Sequence, residues 1–229
     1  MSYQWLLFDA DGTLFDYYRA EDTALAQNFT LHNLAFQPDY RLRYRDINHQ
    51  FWLRLEQKQV TPEELRVGRF QQLFTELDIA YDAAAFSATY LEQLAQQAHL
   101  IDGAVELLEA LNGRYHLALI TNGLADVQYP RLARSGLEAY FSAIIVSDEV
   151  GVAKPNPGIF DVAFNRMNQP AKSEVLIIGD SLSSDMSGGI NYGIDTCWYN
   201  PQGESTQLTV TYEIGQLSQL PGILNGGAS

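Results

Sequence analysis

From about residue 99 to residue 200, short apolar runs rich in Val, Ile and Leu alternate with segments of helical periodicity. This alternation constrains the fold more than any other feature of the chain. The spacing predicts a helix over Ala104–Leu111, a strand over Tyr115–Thr121, a helix around Gln128–Ser135 and a strand over Ala143–Ser147. It continues with a helix over Gly158–Met167, a strand over Val175–Gly179, a helix over Asp185–Tyr192 and a strand over Asp195–Trp198. Strand–helix–strand units of this length build parallel sheets through right-handed crossovers, with helices on both faces. A doubly wound α/β core is therefore expected. The tail, 209–227, reads as a short strand and a short helix before a flexible glycine-rich end.

The first strand stands apart from the others. Tyr3–Phe8 is an apolar run that stops at Asp9, and from about residue 17 to residue 98 the texture becomes helical. Leu25, Phe29, Leu31 and Leu34, and later Phe70, Leu73, Phe74 and Leu77, recur at the spacing of one helix face. Thr61-Pro62-Glu63-Glu64 joins an N-cap residue to a proline at the first helical position and acids in the first turn, which predicts a helix start. An all-helical block, 16–98, thus interrupts an α/β domain formed by 1–15 and 99–229. Ligands of open α/β sheets bind at the carboxyl ends of the strands, so an insert that leaves just after the first strand lies over that site and suits a cap.

Four short motifs fall at strand ends. Asp9-Ala10-Asp11-Gly12-Thr13-Leu14 follows the first strand, and two acids two residues apart there can supply a nucleophilic carboxylate and a neighbour on the same rim. Gly179-Asp180-Ser181-Leu182-Ser183-Ser184-Asp185 ends another strand. Parallel strands end on one face of a sheet, so Asp180 is expected near Asp9, and an all-oxygen set of this kind suits Mg²⁺. Thr121-Asn122-Gly123 offers a hydroxyl and backbone N–H groups of the kind that bind phosphate oxygens. Lys154, in a proline-stiffened loop, can neutralise a carboxylate cluster and a bound anion. Each motif alone also has a plain structural reading: an Asp-Gly turn, a helix N-cap or a solvated loop lysine.

Charge narrows the partners. Over 229 residues, 14 Lys and Arg stand against 28 Asp and Glu, a formal net charge of −14. Such a surface repels polymeric nucleic acid and anionic membranes. No stretch approaches the ~18 apolar residues of a membrane span, and the opening residues lack the basic and apolar regions of a signal peptide. A cytoplasmic protein is expected, with monomer and homodimer both open. The single cysteine, Cys197, excludes an intramolecular disulfide and a cysteine zinc site.

Taken in order, Asp-x-Asp-Gly-Thr-Leu, Thr-Asn-Gly, Lys-Pro and Gly-Asp-Ser-x-x-x-Asp resemble the haloacid dehalogenase-like (HAD) hydrolase superfamily, and the likeness covers the whole chain. The helical block resembles that superfamily's C1-type cap. The resemblance implies Asp9 as nucleophile and Asp11 as general acid/base. It implies Mg²⁺ held by the Asp9 carboxylate, the Asp11 backbone carbonyl and the Asp180 carboxylate, with Asp185 supporting the ion through water. It implies Thr121, the Asn122 backbone amide and Lys154 as holders of the phosphoryl oxygens. Dehalogenases of the superfamily lack an acid at the second position, so Asp11 favours phosphate chemistry. The only lysine of the helical block, Lys58, lies in a polar run unsuited to the buried amine of a phosphonatase.

The opening segment through Tyr17 and Tyr18 is similar to bacterial pyrimidine 5′-nucleotidases of the YjjG type. That likeness implies a nucleoside monophosphate as the small phosphorylated substrate. Phe15, Tyr17 and Tyr18 are candidate specificity residues because an aromatic face can stack on a base. They can equally be hinge and packing residues. A sugar-phosphate phosphatase or phosphomutase, and a non-catalytic phospholigand sensor, are the alternatives. Arg41, Arg43, Arg45, Arg54, Arg66 and Arg69 read as a solvated helical face, and His32, His49, His99 and His116 as structural. Trp5, Trp52 and Trp198 read as packing residues and Cys197 as a buried apolar one.

Overall fold

Strands buried on both faces read as continuous apolar runs rather than alternating ones, and β1 (Trp5–Phe8) is such a run, buried along its whole length. The computed structural model describes residues 3–226. After β1 come four helices: α1 (Tyr17–Leu31), α2 (Tyr40–Glu56), α3 (Pro62–Glu76) and α4 (Ala83–Ala95). The chain then runs through α5 (Ala104–Leu111), β2 (His116–Thr121), α6 (Ala125–Ser135), β3 (Ala143–Val146), α7 (Ser147–Val150) and α8 (Pro157–Arg166). It ends with β4 (Val175–Gly179), α9 (Ser187–Tyr192), β5 (Asp195–Tyr199), β6 (Tyr212–Ile214) and α10 (Leu220–Gly226). The last three residues, where the expected glycine-rich end finishes, lie outside the described residues.

The six strands pair in parallel in the order β3-β2-β1-β4-β5-β6. Strand order reverses between β1 and β4, and a doubly wound sheet opens its ligand crevice at the carboxyl ends flanking such a reversal. Asp9 follows β1 and Asp180 follows β4, so both first acids stand at that crevice. Side chains alternate between two apolar layers. Leu6, Phe8, Leu119 and Ile178 pack with α5 and α10, while Leu7, Ile120, Ile145 and Ile177 pack with α8.

Most expected boundaries hold to within one or two residues, and three of the differences have a local reason. β3 stops at Val146 because Ser147 opens the short helix α7. α6 begins at Ala125 rather than near Gln128, which brings Gln128 into its first turn. The helix expected from Asp185 is preceded by one wide turn of π type over Leu182–Met186, in which the Met186 N–H reaches the Ser181 carbonyl at 3.0 Å. Single π turns of this sort recur at functional sites, and this one carries Asp185.

Helices α1–α4 enclose an apolar cluster of their own, centred on Phe29, Tyr44, Phe70, Phe86 and Tyr90, which Leu124, just before α6, and Val127 within it extend toward the sheet. The chain enters and leaves this helical unit through two adjacent linkers. The Asp16 N–H donates to the His99 carbonyl at 3.0 Å, and the Ile101 N–H to the Leu14 carbonyl at 2.9 Å. Farther out, Arg66 of α3 forms an ion pair with Asp126 at 2.7 Å and with Asp148 at 3.4 Å. Among the described residues, no helix is long and apolar enough to cross a membrane.

The helix start expected at Thr61 is a reciprocal capping box. The Glu64 N–H donates to Thr61 Oγ1 at 3.2 Å and the Thr61 N–H to Glu64 Oε2 at 2.8 Å, with Pro62 opening α3. Thr61→Ala removes one of these bonds and should cost about 1 kcal/mol, measured as a lowered denaturation midpoint at unchanged slope. Thr61→Ser, which keeps the acceptor, should leave the midpoint close to that of the parent.

Candidate active site

The crevice converges on one buried ammonium. Lys154 Nζ donates to Asp9 Oδ1 and to Asp185 Oδ1, both at 2.6 Å, and to the Ile120 carbonyl at 2.8 Å. Burial opposes the charge of Lys154, but the Asp185 and Asp9 carboxylates outweigh it and push the amine above its ordinary range. Oxygens of Asp9, Asp180 and Asp185 all lie within 4.8 Å of one another. Burial drives Asp9 well above the usual carboxylate range; Asp185 and Asp180 add to this and Lys154 opposes it. Burial, with Asp185 next, raises Asp180 to about 7. Three carboxylates against one ammonium leave a deficit of positive charge that a hard cation on oxygen ligands would relieve.

The loops have the shapes these carboxylates require. Gly12 takes φ +87°, and a Cβ there would fall 2.3 Å from Asp180 Oδ2, so only glycine suits the turn of the first loop. Thr13 Oγ1 bridges Asp9 Oδ2 and Asp180 Oδ1, at 3.4 Å from each. At the end of β4, a Cβ on Gly179 would strike Asp185 Oδ2 at 2.3 Å, and that same oxygen accepts the Ser181 N–H at 3.1 Å. Trp198, expected only to pack, also donates its indole N–H to the Asp180 carbonyl at 2.9 Å. Asn122 clasps the Lys154 backbone at both ends: its Nδ2 donates to the carbonyl at 2.9 Å and its Oδ1 accepts the N–H at 2.8 Å. The Asn122 side chain is thus spent on holding the lysine loop. The buried Thr121 Oγ1 accepts the Gly123 N–H at 3.0 Å.

Above these groups lies a cavity of about 450 Å³, lined from below by Asp9, Asp11, Thr121, Asn122, Lys154, Asp180 and Asp185. The structure therefore brings all seven sequence-derived polar candidates to one space. Its roof comes from α1 and α2. Tyr17 and Tyr18 line it as expected, and burial raises both phenols, with Glu21 and Asp180 respectively the next influence. Phe15 is a correction. It is wholly buried in the linker that enters the helical unit, paired with Leu100 of the return linker and with the Arg131 guanidinium over its ring at 4.4 Å, and it does not line the cavity. Trp52, His49 and Arg45 are corrections in the opposite sense, since residues read as packing, structural or solvated line the cavity. They lie with Asn48 and Glu56 along one face of α2, at helical spacing that the sequence does contain. Arg45 stacks over Tyr18 at 4.3 Å and pairs with Asp22 at 2.9 Å.

The sequence reading missed the two side chains that hold Asp11. From α6, Gln128 Nε2 donates to Asp11 Oδ2 and Arg131 Nη1 to Asp11 Oδ1, each at 2.5 Å. Their three-residue spacing is visible in the sequence; that this face of α6 meets the first loop is not. Cys197 is buried, as expected, and burial pushes its thiol up to about 12.

A family model for haloacid dehalogenase-like hydrolases matches residues 3–193. The chain belongs to this family. Within the HAD-like hydrolases it is 38% identical over 225 residues to the HAD-hydrolase YfnB of Bacillus subtilis, covering 97% of this chain and 96% of YfnB. It is 35% identical over 226 residues to the pyrimidine 5′-nucleotidase YjjG of Escherichia coli, covering 96% of this chain and 98% of YjjG. It is 38% identical over 217 residues to the pyrimidine 5′-nucleotidase PynA of Streptococcus pneumoniae, covering 93% of this chain and 92% of PynA. A crystal structure of YfnB bound to magnesium superposes with a TM-score of 0.93 at 37% identity, covering 98% of this chain and all of that one. Membership makes the protein a hydrolase of this family, with the six-stranded parallel sheet and strand-end acids described above.

The energetic centre of this HAD-like site is open to test. Lys154→Met would leave Asp9 and Asp185 buried without their counter-charge, and breaking such a pair costs about 3–5 kcal/mol. Chemical denaturation in the presence of a chelator should register that loss. A cost below about 1 kcal/mol, the scale of an exposed pair, would contradict the reading of Lys154 as the keystone.

Proposed function

We propose that the protein is a Mg²⁺-dependent phosphomonoesterase that works through an aspartyl-phosphate on Asp9, with pyrimidine nucleoside 5′-monophosphates as substrates. The observation that carries this reading is that Asp9 and a second acid, Asp11, line one cavity together with Lys154. One carboxylate can then attack phosphorus while the other handles the proton. Helices α1–α4, residues 16–98, act in this reading as the cap that closes over the substrate.

Asp9, Asp180 and the Asp11 carbonyl would hold the ion, with Asp185 in support, and the all-oxygen donor set suits Mg²⁺. Bound there, Mg²⁺ supplies positive charge to the phosphoryl oxygens. Lys154 keeps Asp9 Oδ1 fixed and adds its own charge, and Thr121 with the Asn122 N–H receives phosphoryl oxygens. Asp9 attacks phosphorus as the ester P–O bond breaks, and Asp11 gives its proton to the departing alkoxide. Water then attacks the aspartyl-phosphate, Asp11 takes up the water's proton, and the Asp9–phosphorus bond breaks. Positioning and charge stabilisation supply most of the rate in phosphoryl transfer.

Two observations support a nucleotide. The roof offers Tyr18, His49 and Trp52, flat surfaces on which a base can stack. Two of the relatives, YjjG and PynA, bear the name pyrimidine 5′-nucleotidase. A panel of nucleoside monophosphates and sugar phosphates tests the proposal. Phosphate release should be fastest from pyrimidine nucleotides, stop with chelator, return with Mg²⁺, and fall roughly 10³-fold or more in Asp9→Asn. Turnover that survives Asp9→Asn would refute the covalent route, and faster release from sugar phosphates would refute the substrate class. Trp52→Ala should raise KM for the nucleotide by about fivefold or more, the scale of one lost stacking contact. KM for a small aryl phosphate should move far less.

A further inference from the structure

Asp11 is the one acid of the cavity floor that stands outside the Lys154 cluster, and α6 grips it. Gln128 and Arg131, three residues apart on one helix face, take one carboxylate oxygen each at 2.5 Å. The grip is itself immobilised. Arg131 is wholly buried, lies over the Phe15 ring at 4.4 Å, and donates its Nε–H to the Gln97 carbonyl at 2.9 Å. Gln97 belongs to the linker by which the chain returns from the helical unit to the sheet. Gln128 depends on Gly123, where a Cβ would fall 2.2 Å from its Nε2.

Packing alone does not account for this arrangement. A buried guanidinium is expensive unless it is fully paired, and Arg131 Nη2 and Gln128 Oε1 have no hydrogen-bond partner among the described residues. Among those residues, Asp11 is the acid with which Arg131 forms an ion pair. A charge kept in the interior on such terms, and directed at one carboxylate of the cavity, indicates a task performed on that carboxylate.

We propose that Arg131 and Gln128 are positioning residues that aim the Asp11 carboxylate for proton transfer, and that Arg131 links that aim to the return linker at Gln97. The proposal rests on the reading of Asp11 as general acid/base. An ungripped aspartate samples several rotamers, whereas proton transfer needs hydrogen-bond reach to the leaving oxygen. The charge-assisted bond to Arg131 is the stronger of the two, so Oδ1 stays anchored while Oδ2 exchanges the Gln128 amide for the reacting group. In the first half-reaction the Oδ2–H bond breaks and the O–H bond of the alcohol forms. In the second, Oδ2 takes a proton from the attacking water.

The test measures kcat and KM of the full-length enzyme with Mg²⁺ and uridine monophosphate. The variants are Arg131→Met, Arg131→Lys and Gln128→Met, each made in the parent and in Asp11→Asn. Arg131→Met should lower kcat by about 10- to 100-fold, the scale of a misplaced catalytic group, with KM little changed. Arg131→Lys should recover part of the loss. In the Asp11→Asn background, Arg131→Met should have no further effect. An equal loss in both backgrounds would mean a structural role and would overturn the proposal, as would an Arg131→Met enzyme of parental kcat beside an inactive Asp11→Asn. Full activity in Asp11→Asn would instead overturn the acid/base reading itself. Should Arg131→Met lose cooperative unfolding, Gln128→Met decides by the same comparison: a kcat loss confined to the Asp11 background supports the proposal, and a loss in both, or none, overturns it.

Discussion

A single ammonium buried among carboxylates sets the terms for the rest of the structure. Lys154 Nζ lies 2.6 Å from both Asp9 and Asp185, and burying two carboxylates side by side without such a counter-charge is costly. Such an ammonium is favourable only while its acceptors stay where they are. The surroundings are built accordingly: Asn122 clasps the lysine backbone, Gly179 has no Cβ where Asp185 turns in, and a π turn delivers Asp185 from the end of β4. The charge is still not balanced, since Asp180 joins the cluster as a third carboxylate. That residual negative field gives the proposed Mg²⁺ its place.

The sheet determines where this cluster stands. Strand order reverses between β1 and β4, and the crevice at that reversal receives the loops after β1, β2 and β4 together. The helical unit leaves the sheet at Asp16 and returns near His99, through linkers bonded to one another. Its α2 face therefore meets the crevice at short range. The floor is charged, and above it Tyr18, His49 and Trp52 offer flat faces among the charged Glu21, Arg45, Asp46 and Glu56. Arg131 stands at the junction of the two, touching Asp11 on one side and the return linker on the other.

Much of this is legible in the sequence. The β–α alternation, the helical block and the capping box at Thr61 follow from local periodicity and local hydrogen bonding, which neighbouring residues carry by themselves. Asp9, Asp11, Thr121, Asn122, Lys154, Asp180 and Asp185 were legible because strand ends of a parallel sheet share one face. What failed was anything that depends on how one element meets another. Phe15 follows the first motif directly, yet it points into the core. Trp52, His49 and Arg45 look like ordinary helix residues until α2 is laid across the crevice. Gln128 and Arg131 sit at a visible three-residue spacing, but spacing within α6 says nothing of Asp11.

The sequence by itself therefore determined the fold class, the strand-end location of the site and the chemical type of its floor, because each of these is encoded over a few adjacent residues. The tertiary structure alone decided which side chains form the roof, which aromatic residue is buried, and that Asp11 is held by a buried arginine. Those outcomes turn on the angle and depth at which separately encoded helices dock, which packing across the whole chain sets.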